Sequence, residues 1–465
     1  MKAAFLIAAP TSGSGKTTIA RGLMALLVRK GYTVQPFKCG PDYIDTKFHE
    51  AVCRRPSINL DTFMATPEHV RELFAHYGQD ADVCIVEGMM GLYDGYDRDL
   101  GSTAEIARVL DIPVVLVVDA KSAAYSMAPL LYGFTHFSSP TSLLPPPSSL
   151  LPPLNIAGVI FNKVGSERHF QMLQQVCHDV GVECLGYLPK NTSLETGSRY
   201  LGLDFSEKAE STALVSLLEE HVNWPQLVGH ASQRDNAAGH ASQRDLLTDD
   251  CRTRKRDLLR VMVAHNGESF SFIYQETIDH HGDITFFDPE KDVPNPDDID
   301  LLYLPGGYPE KHLEALVANE ACRKAIKDYA ERGGRIIAEC GGMMYLCRSI
   351  VTDGVVGNAS QRCNDGALLQ RWEALPTTEY PMCGVLPYTI TARKADRRLS
   401  LGYRRFVLDG KEYRGHEFHY TQFLGETPKS IVQVYNAKGE PVDTPVFRYK
   451  NVFASYTHLY ANYEL

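Results

Sequence analysis

What the chain has little of narrows the reading first. Its 465 residues include 11 cysteines. No two of them stand in C-x-x-C spacing, so neither a zinc knuckle nor a disulfide scaffold is expected, and reduced thiols in the cytoplasm fit better. Positive charge is also short: 47 Lys and Arg face 57 Asp and Glu, for a net charge of −10. That balance argues against a duplex nucleic-acid partner and for an acidic, soluble surface. No apolar stretch reaches the roughly 20 residues that a membrane span needs. The opening MKAAFLIAAP has one lysine and a short apolar run, in the manner of a signal peptide. It leads directly into a glycine-rich loop, so a buried first strand is the better reading.

A chain of this length exceeds one ordinary core, and two or three domains are expected. In the first half, apolar strand candidates (Ala3–Ala9, Thr33–Phe37, Val83–Glu87, Pro113–Asp119 and Ile156–Asn162) alternate with helical patterns such as Thr17–Lys30 and Pro67–Tyr77. This predicts a parallel sheet covered on both faces, with its site at the carboxyl ends of the strands. The Pro/Ser-rich segment 138–153 reads as a surface insertion within that domain. GHASQRD begins at Gly229 and again at Gly239, and a related GNASQRCND begins at Gly357; these read as polar loop insertions. The expected division is a domain over 1–222, a polar linker over 223–257 and a second domain over 258–465. The second half restarts as α/β, with strands at Leu259–His265, Ile284–Phe287, Leu301–Pro305 and Arg335–Glu339 and helices at Lys311–Val317 and Glu320–Arg332. After Pro381 it turns richer in β-like segments, such as Ile431–Tyr435 and Val452–Tyr456.

Two motifs carry chemistry. Residues 10–18, PTSGSGKTT, lie between a strand and a helix and form a variant phosphate loop, with Pro10 where the first glycine usually stands. Gly13, Ser14, Gly15, Lys16, Thr17 and Thr18 are its nucleotide-binding residues. Glycines turn backbone N–H groups toward phosphate, Lys16 reaches the terminal phosphates and Thr17 is a ligand for Mg²⁺. Asp42, Asp45, Glu87 and Asp94 lie in loops or strand ends facing the same site; Asp45 and Glu87 join Thr17 as candidate metal ligands. Asn162, at another strand end, is placed to read a nucleotide base.

In the second motif, IIAECGGMM, an apolar strand runs into Cys340 and two glycines. This predicts a thiol exposed at a helix N-terminus, with a lowered pKa. Gly306 and Gly307, in LYLPGGYPE, follow another strand; backbone amides at Gly307 and Gly341 are the candidate oxyanion hole. The thiolate needs a base. His416, His419 and His458 are the candidates, and His458 is favoured because a position just beyond a core strand holds an imidazole rigidly.

PTSGSGKTT, KCGPDYIDT, VEGMMGLYDG, SRYLGL (198–203), LPGGYPE, AECGGMMYL, GHEFHY and SYTHL together resemble, in order and spacing, the cobyrinate a,c-diamide synthase family. The likeness covers nearly the whole chain outside the insertions. It implies a dethiobiotin synthetase-like P-loop domain followed by a class I glutamine amidotransferase-like domain. It also implies amidation of the a and c carboxylates of cobyrinic or hydrogenobyrinic acid through an acyl phosphate, with ATP, Mg²⁺ and glutamine, in cobalamin biosynthesis. The resemblance places Asp42, Tyr43, Asp45, Glu87 and Asp94 in the synthetase site, with Tyr43 toward the substrate, and makes Cys340 the nucleophile and His458 its base. Many amidotransferases continue the histidine as H-x-E, whereas His458-Leu459-Tyr460 has no acid, so a dyad is expected. Rival readings are a diamide synthase for another tetrapyrrole such as nickel-sirohydrochlorin, cobyric acid synthase, and a P-loop regulatory ATPase with a degenerate tail. Expected partners are the tetrapyrrole acid, glutamine and ATP, with a homodimer left open.

Overall fold

The structure, a computed structural model, describes residues 3–137, 154–190, 212–232, 259–280, 283–354 and 377–460. The Pro/Ser segment, SRYLGL, the second GHASQRD copy and the Gly357 copy lie outside the described residues. The chain divides into two compact units, Met1–Cys251 and Arg252–Leu465.

In the first unit strands and helices alternate: β1 (Ala3–Ala8), α1 (Lys16–Arg29), β2 (Val34–Cys39), α2 (Ile44–Cys53), β3 (Ile58–Leu60), α3 (Pro67–Gly78), β4 (Val83–Glu87), α4 (Thr103–Leu110), β5 (Val114–Asp119), α5 (Met127–His136), β6 (Ile156–Val164), α6 (Glu167–Val180), β7 (Cys184–Pro189), α7 (Thr212–His221) and α8 (Trp224–Ser232). The strands form one parallel sheet in the order β3-β2-β4-β1-β5-β6-β7. Strands β1, β2 and β4 are buried at every residue, as a sheet covered on both faces requires. On one face Phe5, Ile7, Ile85 and Val117 pack with Ile19 and Leu23 of α1 and Leu214 and Leu218 of α7. On the other, Phe74 of α3 meets Phe37 of β2 with ring centroids 4.8 Å apart. The strand order reverses beside β1, so β1, β2 and β4 deliver their following loops to one edge, where a ligand can enter. The stretch read as linker begins with α8, whose Leu227 is buried in the first core. Its apolar side chains attach it to the sheet, so the core of the first unit continues past residue 222.

The second unit contains β8 (Arg260–Ala264), α9 (Gln275–His280), β9 (Asp283–Phe287), β10 (Leu301–Leu304), α10 (Leu313–Ala318), α11 (Glu320–Glu331), β11 (Ile336–Glu339), α12 (Gly341–Leu346), β12 (Ser349–Asp353), β13 (Thr377–Pro381), β14 (Thr389–Thr391), β15 (Ser400–Leu408), β16 (Lys411–His419), β17 (Gln422–Phe423), β18 (Val434–Tyr435), β19 (Pro441–Val442), β20 (Val446–Tyr449), β21 (Val452–Ser455) and β22 (His458–Leu459). A six-stranded sheet runs β20-β21-β11-β10-β8-β9 and is parallel except for β20. One face packs Leu302, Leu304 and Ile336 against Leu316, Ile326 and Met343 of its helices. The other face packs Tyr303, Ile337 and Phe453 against Phe406, Tyr413 and Leu459. Those last three residues belong to a five-stranded sheet, β19-β18-β15-β16-β22. The β-rich tail is therefore a second layer over the α/β sheet. Within it, Ile431–Tyr435 is a strand only at Val434–Tyr435. The helix expected at Lys311–Val317 is a short 3₁₀ turn, Pro309–Lys311, followed by α10.

Candidate functional site

The first unit gathers its charges where β1, β2 and β4 end. Gly13 and Gly15 have φ of 80° and 93°, a left-handed region that favours glycine. Gly15 leads directly into α1, so the helix N-terminus opens onto the loop. Ser14 is buried, and its hydroxyl donates to Thr11 O at 2.8 Å. Thr17 and Thr18 lie in the first turn of α1. The Lys16 ammonium donates to Met90 O at 2.9 Å. Burial, then repulsion from Lys38, bring its pKa down to about 8. An anion arriving at the loop would relieve both effects.

Beneath the loop, parallel pairing sets Lys38 directly beside Glu87. The Lys38 Nζ lies 2.9 Å from Asp45, 3.1 Å from Glu87 and 3.8 Å from Asp42. Burial disfavours this ammonium, but Asp45, Glu87 and Asp42 more than reverse the effect and hold its pKa well above the ordinary value. Burial likewise works against the Glu87 carboxylate, yet Lys38 and His49 outweigh it and keep its pKa well below the ordinary value. Asp45 is raised to about 6 by burial and by Glu87, against the pull of Lys38. The Thr17 hydroxyl donates to Glu87 Oε1 at 2.6 Å, and Glu87 Oε2 lies 2.8 Å from His49 Nε2. Nδ1 of His49 in turn meets Ser57 Oγ at 3.0 Å.

Of the expected metal ligands, Thr17 and Glu87 touch, and the Lys38 ammonium lies between Asp45 and Glu87. Among the described residues no group of three or more His, Cys, Asp and Glu could hold a metal ion. Asp42 Oδ1 accepts the N–H groups of Ile44 and Asp45 and shapes the start of α2, where Tyr43 is the N-cap. Asp94 accepts from Gly91 N at 2.9 Å and so closes its own loop. Asn162, the expected base reader, stands against the phosphate loop. Its amide donates to Ser14 O at 2.9 Å and accepts from Lys163 N, and a Cβ on Gly15 would lie 2.0 Å from its Nδ2. It braces the phosphate loop, because β6 ends directly behind that loop. Lys38 and His49 were missed as site residues. Lys38 had a signal in the sequence, a charge near the end of the apolar strand VQPFKC; His49 had none.

In the second unit Cys340 follows β11 at φ 46°, ψ −104°, and its N–H donates to Ser455 O at 2.8 Å. This is the sharp strand-to-helix turn expected. The glycines are there for space: a Cβ on Gly342 would lie 2.0 Å from Leu304 O, and one on Gly341 2.9 Å from Gly307 N. The latter clash shows that the Gly307 amide stands against the elbow. A Cβ on Gly306 would lie 2.1 Å from His458 Cε1, so the imidazole rests on that glycine. Nucleophile elbow, glycine amides and His458 therefore come together.

The electrostatic expectation for Cys340 is overturned. The thiol is buried, and burial, followed by the Glu310 and Glu417 charges, raises its pKa. A helix of only six residues offers little dipole against that. Burial, then His419, lower His458 to about 3, so it rests as a neutral imidazole. His416 is the antiparallel partner of His458 in the β16–β22 ladder, and their rings stack at 4.9 Å and 16°. The Tyr274 hydroxyl meets His416 Nδ1 at 3.1 Å. His419 lies 2.6 Å from the buried Glu417, which also pairs with Arg404 and Thr444. His416 thus backs His458, while His419 is held by Glu417. Tyr460, standing where an H-x-E acid would be, bonds Glu276.

Two family models match the chain: a CobQ/CobB/MinD/ParA nucleotide binding domain over residues 5–201 and a CobB/CobQ-like glutamine amidotransferase domain over 270–464. Relatives match along nearly the full length. Cobyrinate a,c-diamide synthase of Caldanaerobacter subterraneus is 34% identical, covering 98% of this chain and 94% of the relative. Hydrogenobyrinate a,c-diamide synthase of Streptomyces coelicolor is 35% identical, covering 97% and 93%. Cobyrinate a,c-diamide synthase of Listeria innocua is 35% identical, covering 98% and 95%. With both modules matched in order and this coverage at each end, the chain belongs to the cobyrinate/hydrogenobyrinate a,c-diamide synthase family.

Proposed function

We propose that this chain converts the a and c carboxylates of cobyrinic acid, or of cobalt-free hydrogenobyrinic acid, into amides with ATP and glutamine. The observation that carries the reading is the span of the likeness: relatives with a,c-diamide synthase names match 97–98% of the chain, through both chemical centres. Such coverage favours neither cobyric acid synthase, nor a nickel-sirohydrochlorin enzyme, nor a regulatory ATPase.

In the first unit the loop amides and Lys16 bind the triphosphate. Thr17 and Glu87 fit Mg²⁺, because hard oxygen donors stand side by side next to the phosphate loop. When bound, the ion neutralises charge on the phosphates. Lys38 is a fixed cation beside the same carboxylates, suited to a transferring phosphoryl group or an incoming carboxylate. Tyr43, with Asp42 and Asp94, belongs to loops at the edge from which the substrate acid approaches. The acid oxygen attacks the γ-phosphorus, ADP leaves and an acyl phosphate forms.

In the second unit the Cys340 sulfur attacks the side-chain amide carbon of glutamine as its proton passes to His458. Gly307 and Gly341 N–H groups receive the oxyanion. The imidazolium returns the proton to the departing ammonia, leaving a thioester, and His458 then draws a proton from water to release glutamate. Ammonia displaces phosphate from the acyl phosphate. Because a raised thiol and a lowered imidazole both favour the neutral pair, the nucleophile is made when glutamine arrives and not before.

The test is to incubate the protein with ATP, Mg²⁺, glutamine and cobyrinic acid and to follow product mass. Two acid-to-amide conversions that require both glutamine and ATP are expected. Intact ATPase and glutaminase with no conversion of either corrinoid acid would overturn the substrate assignment.

A further inference from the structure

Glu339 is an acid in the otherwise apolar strand IIAE, 1% exposed, between the two sheets of the second unit. Such burial costs stability unless each polar atom is used. Both oxygens are used, and by separate strands. The Tyr303 hydroxyl of β10 meets Oε2 at 2.8 Å, and the Leu459 N–H of β22 donates to Oε1 at 3.1 Å.

Each strand end so held leads directly into a reacting part. Tyr303 precedes the Gly306–Gly307 turn by three residues, Glu339 precedes Cys340 by one, and Leu459 follows His458. Pairing of β10 with β11 stops at Leu304–Ala338, and that of β11 with β21 ends with the Cys340 N–H on Ser455 O; neither reaches β22. Beyond those points Glu339 ties β22 to β11 across 120 residues of sequence. We propose that Glu339 is a positioning residue for glutamine hydrolysis, one carboxyl strapping together the strand ends that carry nucleophile, base and oxyanion glycines. This rests on the roles given above to Cys340 and His458.

The strap works as a neutral group, in which the protonated Oε2 donates to the Tyr303 oxygen and Oε1 still accepts from Leu459 N–H. Burial lifts the Glu339 pKa to about 8, above the opposing effects of the Tyr303 and Leu459 hydrogen bonds. What matters is shape and acceptor placement, so glutamine is a fair replacement: its carbonyl accepts from Leu459, and its amide N–H donates to the Tyr303 oxygen. Alanine leaves Tyr303 and the Leu459 N–H buried without that partner.

The experiment compares Glu339→Ala, Glu339→Gln, Tyr303→Phe and Cys340→Ser in the full chain, measuring glutamine hydrolysis and, separately, amidation driven by added ammonium. Glu339→Ala lowers kcat for glutamine about 30-fold, with KM moved less than about threefold. Glu339→Gln recovers about tenfold of that loss, and Tyr303→Phe, which deletes one bond, lowers kcat about fivefold. Ammonium-driven amidation stays within about twofold in the Glu339 and Tyr303 variants. Full glutamine kcat in Glu339→Ala overturns the proposal. So does loss of both activities in Glu339→Ala with wild-type glutamine kcat in Tyr303→Phe, since that marks a folding defect alone. Cys340→Ser separates the two levels: if it still hydrolyses glutamine, the underlying reading fails, whereas a dead Cys340→Ser beside a fully active Glu339→Ala sinks only the strap.

Discussion

The two centres treat buried charge in opposite ways. At the phosphate loop, Lys38 and Glu87 are buried and Asp45 half-buried, the Lys38 ammonium touches both carboxylates, and His49 and Thr17 supply further hydrogen bonds. At the cysteine elbow, Cys340, His458 and Glu339 are just as buried, but their pKa values are pushed toward the neutral forms. The first centre handles ligands that arrive charged, and a preset field costs nothing to rearrange when they bind. The second must create charge from a neutral amide. Its dry, neutral resting state keeps the thiol from idle chemistry with other electrophiles.

The comparison breaks most visibly in activity. Cys340→Ser is expected to lower glutamine-dependent amidation by about a thousandfold or more and to leave ammonium-driven amidation within about threefold. Lys16→Ala is expected to lower both by about a hundredfold or more, since both need the nucleotide. Steady-state assays with each nitrogen donor decide it; Lys16→Ala with wild-type ammonium-driven activity would remove Lys16 from phosphoryl transfer.

Stability sharpens the contrast. Lys38→Ala strands Glu87 and Asp45 without their cation, and the first unit should lose about 3–5 kcal/mol. Denaturant unfolding measures it. A loss below about 1 kcal/mol would mean that the carboxylates are solvated or protonated and that the preset-charge picture is wrong.

The smallest effect is a pH slope. His458, ordinarily near 6.5, is held at about 3, so its contribution is whole above 6.5 and is lost as pH falls from there toward 3. Glu339, ordinarily near 4.5, is held at about 8, so its contribution is whole below 4.5 and is lost as pH rises toward 8. His458→Gln should flatten the acid side of the denaturation midpoint against pH, and Glu339→Gln the side between 4.5 and 8. Unchanged slopes in both variants would show that neither group rests neutral.

How much of this was legible in the sequence depends on range. The phosphate loop, the strand before it and α1 follow from local pattern, and Val83–Glu87 was read residue for residue. The elbow at Cys340 was legible because two glycines after an apolar strand permit few other shapes. Its thiol was misjudged because the decisive cause, burial in a core shared with Phe270 and Tyr456, comes from residues far away in sequence. The bond from Asn162 to the phosphate loop was not legible for a similar reason: only the closed sheet shows that β6 ends behind Ser14. Lys38 could be suspected as a charge near a strand end, but Glu87 comes to it only through parallel pairing of β2 with β4.

The place of β21 has a consequence for synthesis on the ribosome. This strand lies inside the parallel sheet beside β11, and the N–H of Cys340 is held by Ser455 O. A nascent chain carrying Cys340 therefore has no finished elbow until the polypeptide through β21 and β22 has emerged. By then the nucleotide-binding unit has had the whole translation time of the second unit in which to fold. The order of the chain thus places the completion of the cysteine elbow last.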